Sequence, residues 1–218
     1  RLCENLFGPG LHKKEFLIFD HWGNFEHFEE LQEEADPGEL KPLMRLLFEH
    51  RIELAQATIT AQDLEGFQLA AKLLKEDVAA LPEDSIAVKE KWKSVQTAKV
   101  AGAIESFDTN IKQQLENEIS PLMKWRNLQG MEAAYKFDDL ITRASIAKVE
   151  QSAALQDRIG NVMELASKLP ITIHQVAAKL ALIQKIQTQE FWDNVTVIEL
   201  DSVRTELRGL MQFIPKDI

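Results

Sequence analysis

Apolar residues recur at helical spacing along most of this 218-residue chain. From Leu43 onwards, successive segments place apolar side chains three or four residues apart, and proline, glycine or capping residues separate the segments. The pattern predicts about eight amphipathic helices in a mainly α fold. Their apolar stripes run over 43–61, 67–81, 88–107, 111–119, 134–147, 155–169, 173–183 and 200–214. We expect residues 40–214 to form one helical domain with Phe137, Ile141, Leu207 and Leu210 in its core.

Several helix boundaries carry local signals. Pro42 suits the first turn of the first helix, and Asp84 and Asp108 are candidate N-caps of the third and fourth. Pro121 should interrupt the fourth helix, because proline lacks the N–H that a helix interior requires. Thr196-Val-Ile-Glu199 is a capping box and should open the last helix.

The segment Glu15-Phe-Leu-Ile-Phe-Asp20 differs from everything after it. Four consecutive apolar residues, followed by a turn with Gly23-Asn24, predict a β-strand buried on both faces. Such a strand needs sheet partners, and nothing after residue 30 supplies them. We therefore expect the chain to be the C-terminal piece of a larger protein. The break at Ala35-Asp-Pro-Gly-Glu39 divides it into residues 1–35, the end of an α/β domain, and residues 36–218, the helical domain.

The charge of the chain is unevenly distributed. The net charge is −10, and residues 1–40 carry ten acidic and three basic residues, which leaves a net of −3 for residues 41–218. The acidic residues 26–39 suit either a solvated helix face or a surface that meets a basic partner. The absence of a basic stripe argues against an autonomous nucleic-acid-binding domain. Cys3 is the single cysteine, so a reducing, cytoplasmic compartment fits best, and no apolar run approaches the roughly 20 residues that span a membrane.

The residue types favour no catalytic centre. A di-metal helical bundle requires Glu-x-x-His, which does not occur, and Phe7-Gly-Pro-Gly10 lacks the spacing of a phosphate-binding loop. We therefore predict neither a metal nor a cofactor within this chain. Lysines 89, 91, 93 and 99 gather on the third predicted helix, where they form a solvated face or contact a phosphate backbone. Trp92 is expected in the core of that helix rather than as a stacking platform.

Two N-terminal segments carry a resemblance to a known family. Residues 1–10 read Arg-Leu-Cys-Glu-Asn-Leu-Phe-Gly-Pro-Gly, and residues 16–25 read Phe-Leu-Ile-Phe-Asp-His-Trp-Gly-Asn-Phe. Here the chain resembles the motor subunit, or R subunit, of type I restriction-modification enzymes. The resemblance resumes in 135–141, in 189–196 and through Leu200, Val203-Arg204, Leu207-Arg208 and Leu210 to Ile214.

The resemblance implies a function for the parent subunit. In that family a nuclease domain and two RecA-like helicase domains precede a helical domain, and the subunit uses ATP and Mg²⁺ to translocate and cleave double-stranded DNA. Arg1 matches the final arginine of the last helicase motif, which implies that it reaches the γ-phosphate of ATP in the intact subunit. The nuclease and Walker motifs are not within residues 1–218. This chain alone should therefore neither hydrolyse ATP nor cut DNA.

The function expected of the helical domain, from the resemblance, is assembly. It should dock the motor onto the methyltransferase and specificity subunits, with no membrane involved. We place the docking surface near the C-terminal helices, where Glu190, Asp193, Arg204 and Arg208 would frame exposed apolar positions. Two alternatives stay open: a stand-alone helical interaction scaffold unrelated to restriction, and an enzyme with a site between helices.

Overall fold

The computed structural model of the protein describes residues 41–128 and 130–215. These ranges contain twelve α-helices and no β-strand, which confirms the mainly α fold class. The predicted strand at 16–20, the RecA-like remnant over 1–35 and Arg1 lie outside the described residues. The helices are α1 (Leu43–Thr60), α2 (Leu64–Ala79), α3 (Ile86–Glu90), α4 (Trp92–Lys99), α5 (Ala103–Ser106), α6 (Thr109–Gln114), α7 (Glu132–Glu150), α8 (Leu155–Ser167), α9 (His174–Ala177), α10 (Leu180–Lys185), α11 (Gln189–Asn194) and α12 (Val197–Leu207).

The first two helices form an antiparallel hairpin with a tight turn. Pro42 immediately precedes α1, and Asp63 caps α2 by accepting a hydrogen bond from the backbone N–H of Gly66. A Cβ on Gly66 would lie 2.2 Å from Oδ2 of Asp63 and 2.9 Å from Cγ2 of the buried Thr58. The close approach of α1 and α2 at this turn therefore requires glycine at position 66.

The predicted third helix is three short helices instead. Lys91 has φ −104° and ψ 19°, which separates α3 from α4, and Gly102 adopts a left-handed φ of 81° before α5. The predicted cap at Asp84 is also wrong, since Ser85 is the residue that precedes α3. Val88 and Val95 define the buried face, and Trp92 lies at its edge with 40% of its surface exposed. The prediction that Trp92 is a core residue is therefore wrong.

The next segment confirms one predicted boundary and corrects another. Asp108 caps α6 through hydrogen bonds from the backbone N–H groups of Asn110 and Ile111, as predicted. Pro121 does not end the helical path. A π-helical turn (Leu115–Ile119) leads into a 3-10 segment (Ser120–Trp125), and Pro121 sits near the start of this segment, where its missing N–H is tolerated.

The longest helix, α7, is the centre of the fold. It packs against α1 on one side and against α8, α12 and a final 3-10 segment (Arg208–Phe213) on the other. Its Ile146 joins a core cluster built mainly from α1–α5, the π-helical turn and the 3-10 segment after it, whereas Phe137 and Ile141 belong to a second cluster formed with α8–α12. Phe137, Ile141, Leu207 and Leu210 are all buried, which confirms the predicted core positions.

The C-terminal part contains more helices than predicted. The seventh predicted helix divides into α9 and α10, and α11 was not predicted at all. Trp192 of α11 is buried and donates its indole N–H to the carbonyl of Ile186 at 2.8 Å. The capping box at Thr196 and Glu199 opens α12 as predicted, with both reciprocal hydrogen bonds present.

Candidate functional site

The highest concentration of buried charge surrounds Asp138 on α7. Its side chain is 1% exposed, and both carboxylate oxygens accept hydrogen bonds from Arg208, from Nε at 2.9 Å and from Nη2 at 2.8 Å. Nη1 of Arg204 lies 3.4 Å from the same carboxylate. This bidentate geometry fastens α7 to α12 and to the 3-10 segment that follows it.

A second buried carboxylate, Asp77 on α2, extends the cluster to the other half of the fold. It accepts a hydrogen bond of 2.6 Å from Nη1 of Arg51 and another from Nη1 of Arg126. Nη2 of Arg51 lies 3.9 Å from Asp138, so one guanidinium lies between the two carboxylates. Together these contacts form a charge network that links α1, α2, α7, α12 and the segment before α7.

Tyr135 completes this charge network. The guanidinium groups of Arg126 and Arg208 lie 5.6 and 5.4 Å from the centre of its ring, within the range of cation–π attraction. Nη2 of Arg126 also lies 3.5 Å from the Tyr135 hydroxyl. The aromatic ring therefore contacts two cations that are bound to different carboxylates.

The charge network is suited to holding helices together rather than to proton transfer. The hydrogen bond to the Asp138 carboxylate raises the pKa of Arg208, so this guanidinium stays protonated across the physiological range. Arginine is the residue best suited to bidentate pairing with a buried carboxylate. Each carboxylate is engaged by at least two arginines. Loss of the Asp138 charge would leave Arg208 without a carboxylate partner, and loss of the Asp77 charge would do the same to Arg126.

The placement of Arg204 and Arg208 corrects the prediction that they frame an exposed docking surface. Their side chains are 13% and 26% exposed, and both turn inwards to Asp138. Glu190 and Asp193 on α11 are exposed.

The other members of the charge network were not predicted. Arg51 lies within the apolar stripe of α1, and Asp77 lies between the buried Leu74 and Val78 of α2. A charged residue inside an apolar stripe is the signal that could have revealed both of them.

A smaller polar contact lies beside the charge network. Nδ1 of His50 on α1 is 2.7 Å from Oδ1 of Asp139 on α7, and Nη1 of Arg143 is 3.9 Å from the other oxygen. Buried Thr142 and Ser145 donate to backbone carbonyls of their own helix. The His50–Asp139 contact therefore joins α1 to α7, whereas Thr142 and Ser145 are satisfied within α7 itself.

A surface cleft of about 340 Å³ lies where α1 faces α6 and the π-helical turn. Its lining residues include Glu49, Glu53, Lys112 and Glu116. Partial burial alone would raise the pKa of Glu49, but hydrogen bonds from Lys41, Ser120 and Arg45 outweigh it and lower the pKa. Glu49 is thereby held as a carboxylate by its own neighbours and is committed to structural contacts.

The four lysines of the third predicted helix fall into two pairs. Lys91 lies 3.8 Å from Glu118, and Lys99 lies 2.7 Å from Glu83. Lys89 and Lys93 are exposed and form no ion pair with any residue in 41–128 or 130–215. No group of His, Cys, Asp and Glu side chains within the same ranges is arranged to hold a metal ion.

Comparison of the chain with protein-family models, curated proteins and solved structures gives no match. None of the helices in the described part of the chain combines the length and apolar character needed to cross a membrane.

Proposed function

We propose that the chain is the C-terminal part of the R subunit of a type I restriction-modification enzyme. Residues 36–218 would be its helical assembly domain, which docks the motor onto the methyltransferase and specificity subunits. The observation that carries the proposal is the contact between two segments that the resemblance depends on. Residues 135–141 supply Tyr135 and Asp138, residues 203–214 supply the arginines that bind them, and the two segments meet in the interior.

This contact supports the proposal because it gives the resemblance a physical basis. Tyr135, Asp138 and Arg208 of the similar segments contact one another inside the fold. They form one buried interface that determines how α7, α12 and the last 3-10 segment assemble. Similarity concentrated at such an interface is what a shared domain architecture requires, since buried ion pairs depend strongly on the geometry of both partners.

The remaining roles belong to the intact subunit under this proposal. Arg1 would contact the γ-phosphate of ATP, bound with Mg²⁺ between two RecA-like domains, and stabilise the charge that develops during phosphoryl transfer. Double-stranded DNA would be translocated and cut in the cytoplasm by domains that precede residue 1. The chain itself would contribute binding energy for assembly and would orient the motor on the methyltransferase and specificity subunits.

A binding experiment tests the assembly role. The full 218-residue chain is purified, its helical content is checked by circular dichroism, and it is titrated against the purified cognate methyltransferase–specificity complex without ATP. We expect association at micromolar concentration or below, since a stable interface buries about 800 Å² per partner. A folded chain that does not associate at low salt would remove the docking role and favour a helical scaffold unrelated to restriction.

A further inference from the structure

The outward side of α3 and α4 combines exposed apolar side chains with lysines. We define this outer face by Ile86, Lys89, Trp92, Lys93 and Val100. Ile86 is 77% exposed, Val100 59% and Trp92 40%. Of the nine large hydrophobic residues exposed in 41–128 and 130–215, three lie within this stretch of fifteen residues. Apolar exposure concentrated in this way marks interaction surfaces in soluble proteins.

The helical register places Ile86 and Lys93 on the side opposite the core, and Lys89 and Trp92 at its margins. Val88, Val95 and Ala98 are at most 1% exposed, and all three belong to the first core cluster. Neighbouring residues are about 100° apart around a helix, so positions two residues away from a buried one point roughly the opposite way. Ile86 and Lys93 stand in this relation to Val88 and Val95, and Val100 follows the end of α4 with an extended backbone and is 59% exposed.

The charges on the outer face are available to a partner. Lys91 and Lys99 are engaged by Glu118 and Glu83, and Lys99 also lies 6.0 Å from the centre of the Trp92 ring. Lys89 and Lys93 have no such counterion among the described residues. Two unpaired ammonium groups therefore flank apolar side chains that the fold leaves exposed.

We propose that the outer face of α3 and α4 is a docking surface for an acidic amphipathic helix of a partner protein. This inference rests on the proposed function and identifies the partner as a segment of the methyltransferase–specificity complex. The apolar side of such a helix would cover Ile86, Trp92 and Val100. Its Asp and Glu residues would pair with Lys89 and Lys93.

The local charge balance favours a protein over a nucleic acid. Residues 83–100 contain four lysines but also Glu83, Asp84 and Glu90, so the outer face lacks the basic stripe that phosphate backbones require. Ile86 and Val100 are aliphatic and cannot stack on bases, which leaves Trp92 as the single aromatic side chain of the outer face. Both features suit an apolar helix with acidic flanks.

The test compares variants of the full chain in the binding assay with the methyltransferase–specificity complex. Ile86→Asp and the double variant Lys89→Glu/Lys93→Glu alter the outer face. Ile171→Asp and Lys72→Glu alter exposed residues elsewhere and are the matched controls. We expect both outer-face variants to weaken binding at least about tenfold, while the controls stay within about twofold of wild type. Circular dichroism and Tm of every variant should match the wild type.

The salt dependence of binding separates the contribution of the lysine charges from that of the apolar contacts. Wild-type affinity should fall as NaCl rises from 50 to 300 mM, and this slope should flatten in Lys89→Glu/Lys93→Glu but not in Ile86→Asp. Folded outer-face variants that bind like wild type overturn this inference and leave the proposed assembly function intact. A wild-type chain that does not bind the complex overturns both.

A fluorescence anisotropy titration with a 30-base-pair DNA duplex tests whether the outer face binds nucleic acid instead. We expect no saturable binding of the duplex at 150 mM salt. Duplex binding that Lys89→Glu/Lys93→Glu abolishes, together with unchanged binding to the protein complex, would assign the outer face to nucleic acid and contradict the proposal.

Discussion

Substitution of Asp138 by Asn should strongly destabilise the protein. The side chain is 1% exposed, and its two oxygens accept hydrogen bonds from Arg208 at 2.8 and 2.9 Å, with Arg204 at 3.4 Å and Arg51 at 3.9 Å. Asparagine keeps the shape but removes the charge, so these guanidinium groups lose their shared counterion. Removal of one partner from a buried ion pair typically costs about 3–5 kcal/mol.

The lower end of this range applies here, because the side chain of Arg208 is 26% exposed and water can stabilise part of its charge. We therefore expect Asp138→Asn to lower the free energy of unfolding by about 3 kcal/mol. For a domain of this size that loss corresponds to a decrease in Tm of roughly 6–12 °C. Urea denaturation followed by circular dichroism measures the first quantity, and a thermal scan measures the second.

Asp201→Asn is the matched control for this substitution. Asp201 accepts a hydrogen bond of 2.7 Å from Nε of Arg204, but its side chain is 21% exposed, so its loss should cost about 1 kcal/mol or less. The double variant Asp138→Asn/Arg208→Met should be less destabilised than the sum of its single changes, because the orphaned guanidinium is gone. A loss below 1 kcal/mol for Asp138→Asn, or strict additivity in the cycle, would refute the role assigned to the charge network.

Four further outcomes are expected. Gly66→Ala should lower the free energy of unfolding by about 1–2 kcal/mol by displacing the Asp63 cap, as measured by urea titration. Glu49→Gln should cost about 1 kcal/mol at pH 7, and the deficit should shrink as the pH falls below the ordinary value of 4.5, because the folded-state pKa of Glu49 is lowered. Phe137→Ala, at a fully buried position, should cost about 3–5 kcal/mol in the same titration. Under the proposed function, Arg1→Ala in the intact subunit should reduce ATP hydrolysis by about 10³-fold or more in a steady-state assay while leaving assembly unchanged.

Each of these outcomes has a result that contradicts it. Gly160→Ala is the control for Gly66→Ala, since a Cβ at position 160 meets nothing within 4 Å. The Gly160 variant should stabilise α8 by about 0.5–1 kcal/mol. Equal effects of the two substitutions would reject the steric argument for position 66. A Glu49→Gln deficit that is constant between pH 7 and pH 3 would show that charge is not the cause. An unchanged Tm for Phe137→Ala would mean that the register of α7 is wrong, and near-normal ATPase activity for Arg1→Ala would reject the motif assignment.

Local signals account for the parts of the fold that were predicted correctly. The hydrophobic period located α1, α2, α7, α8 and α12, because one face of each packs against a core over several turns. The caps at Asp108 and Thr196 were identified because the side chain bonds to backbone only two or three residues away. Such interactions are complete within a short segment and do not depend on the rest of the fold.

Other parts depended on contacts between distant segments. The third predicted helix is divided at Lys91 and at Gly102. The spacing of apolar residues continues through both breaks, so this spacing alone could not reveal them. The exposure of Trp92 follows from the same break, since packing of Val88 and Val95 sets which side faces the core. Helices as short as α9 and α11 are not stable alone and exist because the surrounding core holds them.

The sequence by itself determined the helical class, the main apolar stripes and the caps at Asp108 and Thr196, because periodicity and capping are properties of neighbouring residues. Only the tertiary structure decided that Arg51, Asp77, Asp138 and Arg208 share one interior. These residues lie up to 157 positions apart, from 51 to 208. The residues next to a charged side chain in the sequence do not indicate which distant residue will pair with it. The physical reason is that burial of a charge is tolerated only where opposite charges converge, and that convergence is a product of how the helices pack.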